Sequence, residues 1–268
     1  MVATLWLRLA TVRPFRRPAL LLVLLLPALA ATPARSAPAN APADSGLVRA
    51  LSRQAPSLDR RVLELGLAAL RCASQYDEAP PQRYGVIDYS LPSTAKRLWV
   101  FDLATRRLLY AERVAHGKGS GDNYTRSFSN QPGSRQTSLG LFRTSETYLG
   151  SNGYSLRLDG LEPGFNDRAR ERAIVMHGAP YVSEGAVRQL GRLGRSWGCP
   201  AVRSNVAKPL IDDLKGGQYL FAYYPDAALA AQLAAALVQC RRGVRRVRPA
   251  RFQQGRPPRS VLVGVNCR

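Results

Sequence analysis

"GRLGRSWGCPAVR", residues 191–203, places three glycines, Ser196, Trp197 and Cys199 within nine positions. It contains G-x-S-x-G at Gly194-Arg195-Ser196-Trp197-Gly198, the spacing of the strained strand-to-helix elbow that presents a nucleophilic serine at the top of an α/β-hydrolase sheet. Whether the reactive atom is this serine's oxygen or the neighbouring sulfur decides the fold. The elbow requires its histidine after the serine in the chain. Both histidines of this sequence, His116 and His177, precede Ser196, and Pro200 follows the loop where the elbow's helix would begin. The serine reading is therefore set aside.

Three other chemistries fail on spacing. Ser93-Thr94-Ala95-Lys96 has the S-x-x-K form, but no K-T-G accompanies it, and it runs directly into a strand. "GKGSG" (117–121) lacks the Lys-Ser/Thr pair of a phosphate loop, because Gly119 follows Lys118. A catalytic zinc needs about three protein ligands, and no ligand cluster surrounds either histidine, so no metal is expected. What remains is a thiol. A cysteine attacks as thiolate, favoured by positive charge and hydrogen bonds, with a base in reach. "AIVMHG" (173–178) reads as a strand ending in His177. Arg192 and Arg195 lie beside Cys199, and Gly194 and Gly198 leave backbone N–H groups uncovered for an oxyanion. From the residues alone two readings stay level: Cys199–His177 catalysis, or a disulfide cysteine and a structural histidine.

Outward from this loop the chain is rich in short strands. Alternating or continuous apolar runs predict strands over 84–89, 97–103 and 107–115, the last two a hairpin turning at 104–106, then 139–150, 154–161, 173–178 and 218–225. Helices are predicted over 47–54, 57–74 (capped by Ser57), 184–190, 205–217 and 226–240, with Asp226 opening the last, and a polar helical turn over 166–172. Residues 117–134, rich in Gly, Ser and Asn, form a loop long enough to be functional. Many short strands with few helices argue for a mostly-β or α+β fold rather than a doubly wound parallel sheet.

The ends differ from the body. Arg8, Arg13, Arg16 and Arg17 precede an apolar run at 19–31, too short to span a bilayer, with small residues after it. This is the pattern of an export signal cleaved near residue 30 or 39, so the protein is expected to be secreted to the periplasm or cell envelope, an oxidising place. Residues 1–39 carry five arginines and residues 240–268 nine, neither with an acid, which leaves +7 of the net +21 for residues 40–239. An exported basic chain meets anionic envelope polymers, and no nucleic-acid motif is present. The expected layout is a signal region (1–39), a linker and helical arm (40–83), a catalytic domain (84–226) and a C-terminal helix with a basic tail (227–268). A monomer is expected.

The pairing of "IVMHGAPYVS" (174–183) with "GRLGRSWGCPAV" (191–202) resembles the L,D-transpeptidase (YkuD-type) catalytic domain, in the branch with His-Gly followed by Ser-x-Gly-Cys. The likeness extends through "LWVFDL", "VAHGKGSG", "FSN" and "YSLRLDGLEPGFNDRA" to "YLFAYYPD", covering about residues 84–226. Trp197 stands where the better-known signature has a second histidine, "SLGLF" (138–142) is an altered Thr-Pro-x-Gly-x-Phe, and no arginine follows directly after Cys199. The resemblance implies a β-rich domain without cofactor. Its substrate would be the peptidoglycan stem tetrapeptide, which Cys199 attacks with His177 as base and Gly198 near the oxyanion. Ser196, Trp197, Arg195, His116 and Tyr154, and more weakly Tyr148, become candidates for the substrate side. The thioester passes to an amine, or to water in an L,D-carboxypeptidase; the rival from another class is a non-catalytic basic wall-binding protein. On this reading Cys199 is a free thiol, and Cys240 pairs with Cys267 around the arginine-rich tail, leaving Cys72.

Overall fold

The computed structural model describes residues 45–241. The expected signal region and the arginine-rich tail, including Cys267, lie outside them. Among the described residues no helix is long and apolar enough to cross a membrane.

Eight strands form one mixed sheet: β1 (Arg83–Asp88), β2 (Leu98–Asp102), β3 (Arg107–Glu112), β4 (Gly140–Gly150), β5 (Gly153–Gly160), β6 (Val175–Ala179), β7 (Ala201–Arg203) and β8 (Tyr219–Tyr223), in the order β3-β2-β1-β8-β4-β5-β6-β7. β1 runs parallel to β8 and β6 parallel to β7; the other pairs are antiparallel. Strand β2 is buried at every position, as its continuous apolar run requires of a strand covered on both faces. The sheet is nearly closed. The chain leaving edge strand β3 turns so that Ala115 bridges Ala201 of edge strand β7, and Arg203 of β7 forms a bidentate ion pair with Glu112 of β3 at 2.7 and 2.8 Å. The predicted strand 107–115 therefore ends at Glu112, because residues 113–115 leave the β2 ladder for the opposite edge.

The helices are α1 (Ser45–Gln54), α2 (Arg60–Ser74), α3 (Glu184–Leu190), α4 (Ser204–Leu214) and α5 (Ala227–Arg241). Helix α2 is capped not by Ser57 but by Asp59, whose carboxylate accepts from Arg61 N at 2.7 Å; residues 57–58 form a turn before it. Val62, Leu63, Leu67 and Leu70 give α2 its buried face. Leu229, Leu233 and Ala236 are buried on α5, and Asp226 immediately precedes the helix, its carboxylate accepting from Leu229 N at 2.8 Å. Residues 166–172 form turns rather than a helix. Strand β7 has only three residues, too few for a periodicity signal, and had no sequence prediction. The β-rich α+β fold is as expected.

Candidate active site

The 191–203 stretch crosses from α3 to β7. Ser183 caps α3 through Ala186 N at 3.2 Å, and Gly191 ends it with a left-handed φ of 67°. Gly194 N then bonds Tyr181 O at 3.0 Å, and Ser196 N bonds His116 O at 3.0 Å. Ser196 is buried and its hydroxyl is used twice: it donates to Cys199 O at 2.6 Å and accepts from Gly198 N at 3.1 Å. It is a staple across the turn rather than an exposed nucleophile. Gly198 sits at φ 125°, and a Cβ there would meet Gln136 O at 2.8 Å and Ile174 Cδ1 at 2.9 Å. The glycine is thus required for space. Its N–H, expected to face an oxyanion, is taken by Ser196 as the loop stands.

Cys199 is buried. Its Sγ accepts from Val175 N at 3.4 Å and lies 3.6 Å from Ala173 O, so the sulfur rests against the start of β6. Ala173 itself has a left-handed φ of 53°, a conformation that costs a non-glycine residue energy and turns its carbonyl toward the sulfur. Two residues along β6 from Val175, about 7 Å and on the same face, comes His177. Its backbone N donates to Pro200 O at 3.4 Å, and it is the register partner of Ala201 in β7. The imidazole is buried, with Nδ1 2.9 Å from Gly178 O. A carbonyl only accepts, so Nδ1 carries the proton and the lone pair is on Nε2. Nε2 is buried, with no hydrogen-bond partner among the described residues. Burial lowers the pKa of His177 below the ordinary imidazole range, opposed by the bond to Gly178, so the neutral form is favoured.

The expected cysteine pairing does not hold. Cys240 is a free thiol 3.6 Å from Gln75 Oε1, and Cys72 is also reduced, its sulfur 3.8 Å from Ala236 O. Cys199, expected to be free, is disulfide-bonded. Spacing along a chain does not encode disulfide connectivity, and the charge of the tail was no guide to it.

His116, expected to touch substrate, has both ring nitrogens committed within the protein. Arg97 Nη2 donates to Nδ1 at 2.7 Å, which leaves Nε2–H to face Gly121 O at 3.3 Å. Burial and then the Arg97 charge push its pKa down to about 3. Arg97 is wholly buried and also donates to Val114 O and Leu91 O. The pair fixes the loop that begins at Gly117. Arg195 donates to Gly121 O and to Asp122, each at 2.9 Å, and Arg192 lies 3.7 Å from the same carboxylate. Both are spent on the loop rather than on the sulfur. Tyr154 donates to Asp212 of α4 at 2.7 Å, and Tyr148 stacks under Arg157. Trp197 is half-buried beneath two cations, Arg135 at 4.7 Å and Lys118 at 5.4 Å from its ring centre.

Sequence reasoning missed Arg172. Its guanidinium is largely buried and donates to Ser129 O (2.6 Å), Gln136 O (2.7 Å), Ser134 Oγ (3.1 Å) and Ser138 Oγ. It reaches within 3.5 Å of where a Cβ on Gly198 would sit. Burial lowers its pKa, and among the described residues no carboxylate ion-pairs with it. In the sequence it belongs to "RARER" (168–172), which reads as a solvated charge run. No group of metal-ligating side chains occurs among the described residues.

A family model, the L,D-transpeptidase catalytic domain, matches residues 54–223. The chain belongs to this family. Solved structures similar to it include an L,D-transpeptidase in complex with imipenem (16% identity, 53% of this chain and 59% of that one, TM-score 0.33). Others are an L,D-transpeptidase from Mycobacterium smegmatis (15%, 54% and 59%, TM-score 0.34) and one from Stackebrandtia nassauensis (13%, 67% and 77%, TM-score 0.33). The chain spans about three-fifths of the length of the first two. No curated protein matches.

Proposed function

We propose that this protein is a cysteine-dependent peptidoglycan L,D-transpeptidase of the cell envelope, acting on stem tetrapeptides. His177 Nε2 takes the proton of Cys199. The thiolate attacks the carbonyl at the L-centre of the diamino acid, the bond to the terminal D-alanine nitrogen breaks, and the imidazolium returns its proton to that nitrogen. D-alanine leaves and a thioester remains on Cys199. An incoming amine attacks the thioester, loses its proton to His177, and displaces the sulfur; water in the amine's place makes the protein an L,D-carboxypeptidase. Arg172, against the cysteine loop, contributes positive charge that favours thiolate. The carrying observation is His177: a neutral imidazole oriented through Nδ1, its Nε2 lone pair buried without a partner among the described residues, on the strand that pairs with β7, which begins two residues after Cys199. A buried acceptor left unmade costs free energy, and a proton-transfer role accounts for its retention.

Thiolate attack requires the disulfide at Cys199 to be opened first. That bond is also the observation favouring the non-catalytic wall-binding alternative, in which Cys199 is structural. Incubating the protein with stem tetrapeptide, before and after mild reduction, separates the two. The enzyme reading expects D-alanine, with cross-linked dimer or tripeptide by mass, appearing on reduction; no product in either state leaves the wall-binding reading.

A further inference from the structure

We infer that Trp197, Lys118 and Arg135 form a carboxylate-binding subsite at the mouth of the Cys199 loop, an inference that rests on the transpeptidase reading. Three segments are laced together here. Lys118 N donates to Ser196 O at 2.8 Å, and Gly119 N donates to Arg135 O at 2.9 Å. Arg135 occupies the left-handed region at φ 56°, a conformation rarely held by a residue with a side chain and concentrated at functional positions. That turn lets its carbonyl fasten Gly119 while its guanidinium covers the Trp197 ring at 4.7 Å; the Lys118 ammonium takes the same ring at 5.4 Å. Both distances are within cation–π range.

Two cations on one ring repel each other, yet among the described residues neither forms an ion pair with a carboxylate. The nearby Asp122 is instead bound by Arg195. Both cations are exposed, so the charge is available to a ligand. A guanidinium lying on a ring still presents N–H donors at its edge, suited to a carboxylate. Trp197 is two residues from Cys199, so their Cα atoms are at most about 7 Å apart. The scissile amide of a stem tetrapeptide has two carboxylates within a few bonds: that of the terminal D-alanine, and the second carboxylate of the diamino acid where that residue carries one. The subsite is therefore specific for the free acid next to the bond being cut.

The test measures kcat/KM on the reduced enzyme, by mass of the tripeptide-derived product, for three donors: the unmodified tetrapeptide, its C-terminal amide, and the peptide amidated at the diamino acid's second carboxylate. One amidation should lower kcat/KM about tenfold, on the scale of a hydrogen bond to a charged group, and identifies which carboxylate is held. Arg135→Gln and Lys118→Gln should lower kcat/KM for the unmodified peptide by a similar factor while leaving that amide unchanged, and Arg135→Lys should recover part of the loss. Equal rates for all three donors, or variants that slow acid and amide alike, overturn the subsite and leave the transpeptidase reading intact. No product from any donor overturns both.

Discussion

Two buried histidines flank the loop that carries Cys199, and each is about 1% exposed. His116 has its nitrogens divided between a buried arginine and a backbone carbonyl. His177 has one nitrogen on a carbonyl and the other without a partner among the described residues. Burial lowers both pKa values, so neither burial nor titration tells a structural histidine from a reactive one. The difference is in the second nitrogen: where it is satisfied the ring is a strut, and where it is left open it is free for the proton transfer proposed for His177.

The largest expected effect falls on His177. His177→Ala should reduce D-alanine release by about two orders of magnitude or more, the range of a general base, and His177→Gln, which keeps most of the buried volume, should lose activity as fully with a smaller loss of thermal stability. His116→Ala should do the reverse, removing an acceptor from the buried Arg97 and costing about 2 kcal/mol in a denaturant melt, with product formation retained once the protein is folded. An inactive but stable His116→Ala, or a His177→Ala that keeps its activity, would break the comparison.

Acid sharpens it. The unfolded chain protonates an imidazole near pH 6.5, whereas folded His116 stays neutral to about 3. Between those values the unfolded state holds the extra proton. The stability contributed by neutral His116 is therefore complete above about pH 6.5 and drains away as pH falls toward 3. The melting temperature of His116→Ala should decline less steeply than that of the parent across this window. The acid limb of kcat/KM should lie below the ordinary imidazole value, because His177 is also shifted down. An acid limb at or above pH 6.5 contradicts that shift.

Smaller effects follow. Ser196→Ala deletes one hydroxyl bonded to Cys199 O and Gly198 N and should slow turnover several-fold, far less than His177→Ala; a dead Ser196→Ala with an active His177→Ala would return the serine to contention. Away from the site, Asp59→Ala should cost about 1 kcal/mol as a lost helix cap, while Ser57→Ala should be close to silent in the same melt.

Much of this was legible in sequence because it is local. The long strands showed as apolar runs, and the 191–203 loop as clustered glycines around a serine and a cysteine. The strand ending in His177 was legible too, although β6 runs on to Ala179. What was not legible depends on contacts between distant segments. Nothing in "KRLWVF" (96–101) says that Arg97 will be buried against His116, nor in "RARER" that Arg172 turns inward while Arg168 pairs with Glu171 at the surface. His116 and His177 each precede a glycine and are indistinguishable without their partners. The cysteine pairing and the three-residue β7 are unreadable for the same reason.

The most direct test of the central claim is the peptide-resolved mass of the reduced enzyme, quenched in acid shortly after mixing with stem tetrapeptide. The account predicts a tripeptide-derived acyl group on Cys199, absent from Cys199→Ala and accumulating far more slowly in His177→Ala. An acyl group on Ser196, or D-alanine release without any adduct at Cys199, would contradict it.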